Sequence, residues 1–404
     1  MDTFLKSFFI VALSCIAFQN RVHIKEISVQ LYEKHLKSFF KDPTWFNKLR
    51  EEDIFELAKI NLTRAEENEE GFQEVSKILH DAFKGVGFAY VVELKDFNPD
   101  ELFYWTKWFF NLSPDVKKTV TKSTWQPDNA NTYRGLYPSI PGGHSHKEAL
   151  ETGLFDMEEP LRRKATLEDL VNTTKKDGKL YRRNILEEKN PWPITEDQKM
   201  DDGFRLFMQK NYKIYENGCL IIMRMLANAL GFERNFFDGL LFGPKHLSTH
   251  RLIHYPSRLG NPASIPKEAW DGDQAIVTGE HFDSGILTIL ATFENAGLQI
   301  KPNGYSKWID VPARKDHLVI NIGNLLADMV ENRLVATNHR VIDIGISRYS
   351  VPFFLEPRYD GDLSKTIFGN KLESVGEFTT YGQYMTNRTR MFAEYASIDW
   401  GYID

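Results

Sequence analysis

The sequence predicts a mainly β protein: a sandwich or jelly-roll core flanked by N-terminal, central and C-terminal helices. Three observations predict it. Residues 246–354 alternate short apolar runs with turn residues, the texture of a multi-stranded β domain. Residues 195–230 instead carry Phe204, Met208, Tyr215, Cys219, Ile222 and Leu226 near one stripe at helical spacing. Residues 22–85 are charged and mostly helical in pattern.

The elements follow in chain order. A helix is expected over 69–84, with Asn68 as N-cap and Gly85 as C-cap. A strand at 87–92 and a helix at 100–112 come next. Residues 123–200 read as a long polar, proline-bearing loop, and so long a loop in a compact domain is usually functional or an insertion. The central helix, 195–230, closes at Gly231. Strands are then expected at 247–255, 286–292, 298–301, 308–311, 318–322, 333–341 and 349–354, before a helical tail at 380–395. This divides the chain into a helical and mixed region, 21–240, packed on a jelly-roll core with a C-terminal helix, 241–404.

The N-terminus has its own character. Residues 8–18 form an unbroken apolar run, too short to span a bilayer. With small residues at Cys15 and Ala17, residues 1–20 read as a secretory signal, cut near residue 17; the alternative is a leading segment packed on the domain. Asn-x-Ser/Thr triplets at Asn61, Asn111, Asn172 and Asn387 are compatible with secretion. The cysteine count leans the other way. Only Cys15 and Cys219 are present, so removing the leader would leave no disulfide to form, as in a cytoplasmic protein.

Bulk composition narrows the function classes. At 404 residues, 42% hydrophobic and 26% charged, the chain can bury a full core. A net charge of −6 argues against a general nucleic-acid or anionic-membrane binder. Two cysteines, Cys15 and Cys219, in practice exclude a disulfide framework or a cysteine-based zinc site.

The chemistry concentrates in His281-Phe282-Asp283. On an extended strand, residues i and i+2 share a face, so imidazole and carboxylate project side by side. His339 follows 56 residues after Asp283, far enough for the chain to return on a facing strand. Two histidines and one carboxylate make a facial metal triad. Nine residues on, Arg348 and Ser350 repeat the i, i+2 relation. A guanidinium fork plus a hydroxyl suits a carboxylate ligand. Each residue taken singly has a bland reading: a satisfied structural histidine, a turn aspartate, a strand-face salt bridge, a strand-end hydroxyl. Their order and spacing favour the site. His144 and His146 form another His-x-His pair, in a glycine-flanked loop that reads as exposed rather than metallated.

This ordered set resembles the iron(II)/2-oxoglutarate-dependent dioxygenases, in the branch that includes isopenicillin N synthase. Further segments carry the resemblance over about 50–395: Gly285-Ile286-Leu287-Thr288-Ile289-Leu290, Gly297-Leu298-Gln299, Trp308-Ile309-Asp310-Val311-Pro312, Val319-Ile320-Asn321-Ile322-Gly323 and Tyr255-Pro256. It implies a double-stranded β-helix core. It implies Fe(2+) on His281, Asp283 and His339, with 2-oxoglutarate and O2 as co-substrates. It also implies oxidation of a small organic molecule, by hydroxylation, desaturation or ring closure, with release of succinate and CO2. Arg348 and Ser350 would hold the co-substrate. Tyr255 would join them, a core tyrosine being the equal alternative. Tyr133 and Arg134 fall where the family approaches its substrate, although a buried structural arginine fits equally, and Phe353 is the candidate pocket aromatic. The sequence departs from the family's Asn-x-Tyr-Pro at Ile253, and from its strand-end aspartate at Asn324. Two rivals stand beside this reading: an isopenicillin-N-synthase-like oxidase without 2-oxoglutarate, and a catalytically silent binding protein on the same scaffold.

Overall fold

Short β-branched runs separated by Gly, Pro and Asn turns fold here into two facing sheets. The computed structural model describes residues 56–140, 145–154, 173–176, 179–182, 185–243, 245–392 and 395, all within the unit Phe55–Asp404. Residues 1–55, with the expected signal segment at 1–20, lie outside the described part, as do His144 and Asn172. Among the described residues, no helix is long and apolar enough to cross a membrane.

The chain begins with β1 (Lys59–Asn61), α1 (Leu62–Glu67) and α2 (Glu69–Gly85). Asn68 caps α2 as expected, its side chain accepting from Gly71 N. Gly85 is the last helical residue rather than the cap, and Gly87 makes the left-handed turn at φ 75° into β2 (Phe88–Val92). Next come α3 (Pro99–Phe110) and α4 (Pro114–Thr119). The stretch expected to be a loop contains β3 (Gly135–Tyr137), β4 (Glu148–Thr152) and a hairpin of β5 (Thr173–Lys176) and β6 (Lys179–Arg182). β4 escapes a pattern search because its inward position 151 is a glutamate, buried against Lys122, Arg251 and the Tyr395 hydroxyl.

The central helix, α5 (Gln198–Ala229), and the short α6 (Phe236–Leu240) follow. The β domain then supplies β7 (Thr249–Tyr255), β8 (Trp270–Asp271), β9 (Gln274–His281), β10 (Leu287–Ala291), β11 (Leu298–Lys301), β12 (Ile309–Asp310) and β13 (Leu318–Ile322). It ends with α7 (Asn324–Met329), β14 (Asn338–Ile342), β15 (Arg348–Leu355) and α8 (Tyr381–Thr389). β14 starts later than the expected 333 because Glu331 and Asn332 turn the chain at φ 55° and 57°. The C-terminal helix is shorter than 380–395.

The larger sheet runs β1-β2-β13-β10-β15-β7-β4-β3 and the smaller β12-β11-β14-β9-β8. Residues on both sides of position 240 therefore build one sheet. Its two faces bury different partners. Phe353, Ile289 and Ile320 share a cluster with Phe204, Tyr215, Cys219 and Ile222 of α5. The opposite face, with Phe88, Tyr90 and Ile253, packs on Val277, Leu298 and Ile300 of the smaller sheet. Burial on both faces explains why β13 reads as an almost continuous apolar run. Cys219 is a free, buried thiol in this core.

Candidate metal centre and its cavity

His281 ends β9 and His339 lies in β14, directly opposite it. The histidine expected on a facing strand thus stands on the neighbouring one, brought level by an irregular register. The two ring centroids are 4.2 Å apart. His281 Nδ1 lies 2.9 Å from Gly279 O, and His339 Nδ1 3.1 Å from Thr337 O. A carbonyl can only accept, so each Nδ1 carries the proton and each Nε2 keeps its lone pair for a metal.

Asp283 arrives by another route than the strand geometry suggests. β9 stops at His281, and residues 282–284 belong to no strand. The carboxylate comes from the loop crossing to β10 in the larger sheet. That loop is pinned where Asn324 N donates to Asp283 O at 2.8 Å and Gly323 N to Ile286 O at 3.0 Å. A Cβ at position 323 would run into the Gly285 carbonyl, so the close approach needs glycine there. Asp283 Oδ2 accepts from Thr288 Oγ1 at 2.6 Å and Asn321 Nδ2 at 2.7 Å. Oδ1 is left facing His339 Nε2, 3.8 Å away. Ligand atoms of His281, Asp283 and His339 all lie within 4.8 Å of one another, the one such group among the described residues.

Electrostatics keep the set in its ligating form. Burial, then the neighbouring His339, pushes His281 down to about 4, so its ring is neutral near pH 7. Burial raises Asp283, but the two histidines and the hydrogen bonds from Thr288 and Asn321 outweigh it and hold the carboxyl below its ordinary range. Two imidazoles and one carboxylate on one side of an ion leave three positions open, which fits iron(II).

The cavity above the triad is walled by alternate residues of the larger sheet. On β15 these are Arg348, Ser350, Pro352 and Phe354, and on β7 Arg251, Ile253 and Tyr255. Arg348 is buried, with Nη1 lacking a partner and its guanidinium carbon 5.0 Å from the Tyr255 ring centroid. Tyr255 faces Arg348, and Ile253 faces Ser350, across the β7–β15 ladder. Arg348, Ser350 and Tyr255 thus converge on the triad's cavity.

The three candidate substrate residues do not. Phe353 has the opposite parity to Arg348 and Ser350. It is fully buried against Tyr212, Tyr215 and His250, and Phe354 lines the cavity in its place. Arg134 is the structural arginine of the two alternatives, donating to Thr249 Oγ1 and the carbonyls of Leu186 and Leu247. Tyr133 packs on Tyr395, and both it and Arg134 are absent from the cavity lining. His146, with Nδ1 3.3 Å from Ser139 Oγ, is likewise outside it.

Of the neighbouring pair Phe353 and Phe354, read as core with one facing the pocket, it is Phe354 that lines the cavity, as the parity of Arg348 and Ser350 requires. Lys147, Arg251, Thr278, Thr288 and Asn321 line it without having been singled out. A signal existed for Asn321, a polar residue in the middle of an apolar strand.

Known proteins resemble this chain in sequence and fold. The profile of the 2OG-Fe(II) oxygenase superfamily matches residues 250–357, which include the triad, Arg348 and Ser350. Residues 250–357 belong to the 2OG-Fe(II) oxygenase superfamily. The isopenicillin N synthase of Streptomyces clavuligerus is 25% identical over 325 residues, 79% of this chain and 89% of that protein. A 2-oxoglutarate-Fe(II) type oxidoreductase of Emericella nidulans is 33% identical over 174 residues, 42% of this chain and 46% of its own. A full-length Neurospora crassa protein, solved in complex with alpha-KG and 5-formyluracil, superposes with a TM-score of 0.61 at 23% identity. The match covers 84% of this chain and 96% of that one, and shows the shared fold. The chain is an oxidoreductase that works with iron(II), 2-oxoglutarate and O2.

Proposed function

We propose that His281, Asp283 and His339 hold iron(II), that Arg348, Ser350 and Tyr255 hold the distal carboxylate of 2-oxoglutarate, and that a small organic molecule is oxidised in the remaining cavity. One observation carries the assignment. Three ligand atoms converge within 4.8 Å beside a buried guanidinium that still has an unpartnered nitrogen. When bound, the iron activates O2 and couples decarboxylation of 2-oxoglutarate, to succinate and CO2, with oxidation of a substrate C–H bond. The chain's own residues do the positioning. Gly279 O and Thr337 O fix the rotation of the two imidazoles. Thr288 and Asn321 aim Asp283. Leu290, Leu298, Val341 and Phe354 give the cavity apolar walls that keep water from the reacting centre. The substrate is a small molecule rather than nucleic acid, in keeping with the net charge of −6.

Purified protein with iron(II) and 2-oxoglutarate, kept anaerobic, is expected to develop the weak visible charge-transfer band of a 2-oxo acid chelate. On admitting air with ascorbate it is expected to release succinate. Absence of both band and succinate would sink the co-substrate assignment. The isopenicillin N synthases among its relatives favour a second reading, in which the substrate itself supplies all the electrons. Oxygen uptake without succinate would select that oxidase. Failure to bind iron(II) at all would select a silent binding protein.

A further inference from the structure

The end of the cavity around Arg348 holds a second cation. β4 pairs with β7 so that Glu148 opposes His254 and Ala149 opposes Ile253. One residue earlier, Lys147 comes level with Tyr255, which itself opposes Arg348 on the next strand. All three line the cavity. From the facing sheet, Thr278 Oγ1 approaches Lys147 Nζ to 3.3 Å. Lysine, tyrosine and arginine therefore form one row across three strands, closed over by Thr278 and Ser350.

The charge in this row is one-sided. Among the residues lining the cavity Asp283 is the one carboxylate, and it belongs to the triad. The Tyr255 hydroxyl senses the imbalance. Burial pushes its pKa up, yet Lys147 and then Arg348, with hydrogen bonds to Ser350 and Thr278, bring it below the ordinary phenol value. Two cations gathered at one end of a cavity cost desolvation that an anionic ligand would offset. At the neighbouring row, Ile253 stands between Ala149 and Ser350, where the family carries an asparagine donor.

We propose that Lys147 is a second cationic anchor for the distal carboxylate of 2-oxoglutarate, acting beside Arg348 and supplying affinity that Ile253 cannot. This rests on the 2-oxoglutarate reading above. It makes the site selective for a 2-oxo dicarboxylate over a 2-oxo monocarboxylate.

The test uses the full chain loaded with iron(II) without oxygen. It is titrated with 2-oxoglutarate and, separately, with 2-oxobutyrate, which lacks the distal carboxylate; the charge-transfer band is the readout. Lys147→Met is expected to weaken 2-oxoglutarate about 10- to 100-fold, the scale of one charge-assisted contact, and to leave 2-oxobutyrate within about twofold. Lys147→Arg should restore most of the loss. Unchanged 2-oxoglutarate affinity in Lys147→Met would overturn the anchor. So would an equal loss for both acids, since that would mark a structural lysine. If the unchanged protein binds iron(II) but no 2-oxoglutarate, the co-substrate reading falls and the anchor with it.

Discussion

At the scale of single residues, the centre depends on which lone pairs stay available. Asp283 has one oxygen committed to Thr288 and Asn321 and the other turned toward His339. Removing the amide of Asn321 frees the carboxylate to rotate but leaves all three ligands in place. Asn321→Ala is therefore expected to weaken iron(II) binding about 10- to 100-fold, measured by metal titration of the apo-protein. His281→Ala should act differently. It removes a ligand at the end of a strand, so iron-dependent turnover is lost while the melting temperature of the apo-protein moves by about 3 °C or less. A variant that unfolds instead would show that His281 is a packing residue.

At the scale of elements, strand parity decides which side chains meet the ligand. β15 shows it most directly. Arg348, Ser350, Pro352 and Phe354 face the cavity, while Val351, Phe353 and Leu355 face the helical layer. Phe354→Ala is expected to raise KM for the substrate, or uncouple succinate release from substrate oxidation, with little change in stability. Phe353→Ala should do the reverse, costing about 3–5 kcal/mol of stability through the cavity it leaves. Denaturant melts beside steady-state kinetics would separate the two; equal effects on stability would show that the parity assignment is wrong. The same parity made Arg348 and Ser350 legible in the sequence. It misled at Asp283, because an i, i+2 relation presumes that the strand continues, and β9 ends at His281. What brings Asp283 into line is the contact of Gly323 with the crossing loop, a meeting of segments 40 residues apart that no local pattern reports.

At the scale of the whole molecule, the β core could be read from its alternating runs, and the central helix from its stripe. The edge of the larger sheet could not. β3 and β4 sit in a polar stretch whose inward glutamate is compensated by Lys122, Arg251 and Tyr395, from other segments. Long-range compensation of this kind leaves no local trace, and it also conceals Lys147.

Between the larger sheet and α5 lies another group that only packing explains. His250, fully buried with both ring nitrogens unpartnered, sits between Tyr215 and Phe353. Burial pushes it down to about 3. The neutral ring is therefore favoured in the fold. Its contribution is complete above the unfolded value near 6.5 and is lost as pH falls from there toward 3. Between pH 7.5 and pH 5 this group alone should remove about 2 kcal/mol of stability, because the unfolded chain gains the proton and the fold does not. Glu356, raised by burial to about 7, works in the opposite direction over part of that range, so the net pH profile of the protein does not isolate either group. Comparison with His250→Leu does. Glu356 is common to both chains and cancels, and the leucine fills the apolar site without a titrating ring. Chemical denaturation at pH 7.5 and pH 5 is expected to give the variant a stability advantage that grows by about 2 kcal/mol on acidification. An advantage that stays constant would mean that His250 takes up its proton inside the fold, through a partner or a water that its packing against Tyr215 and Phe353 does not provide.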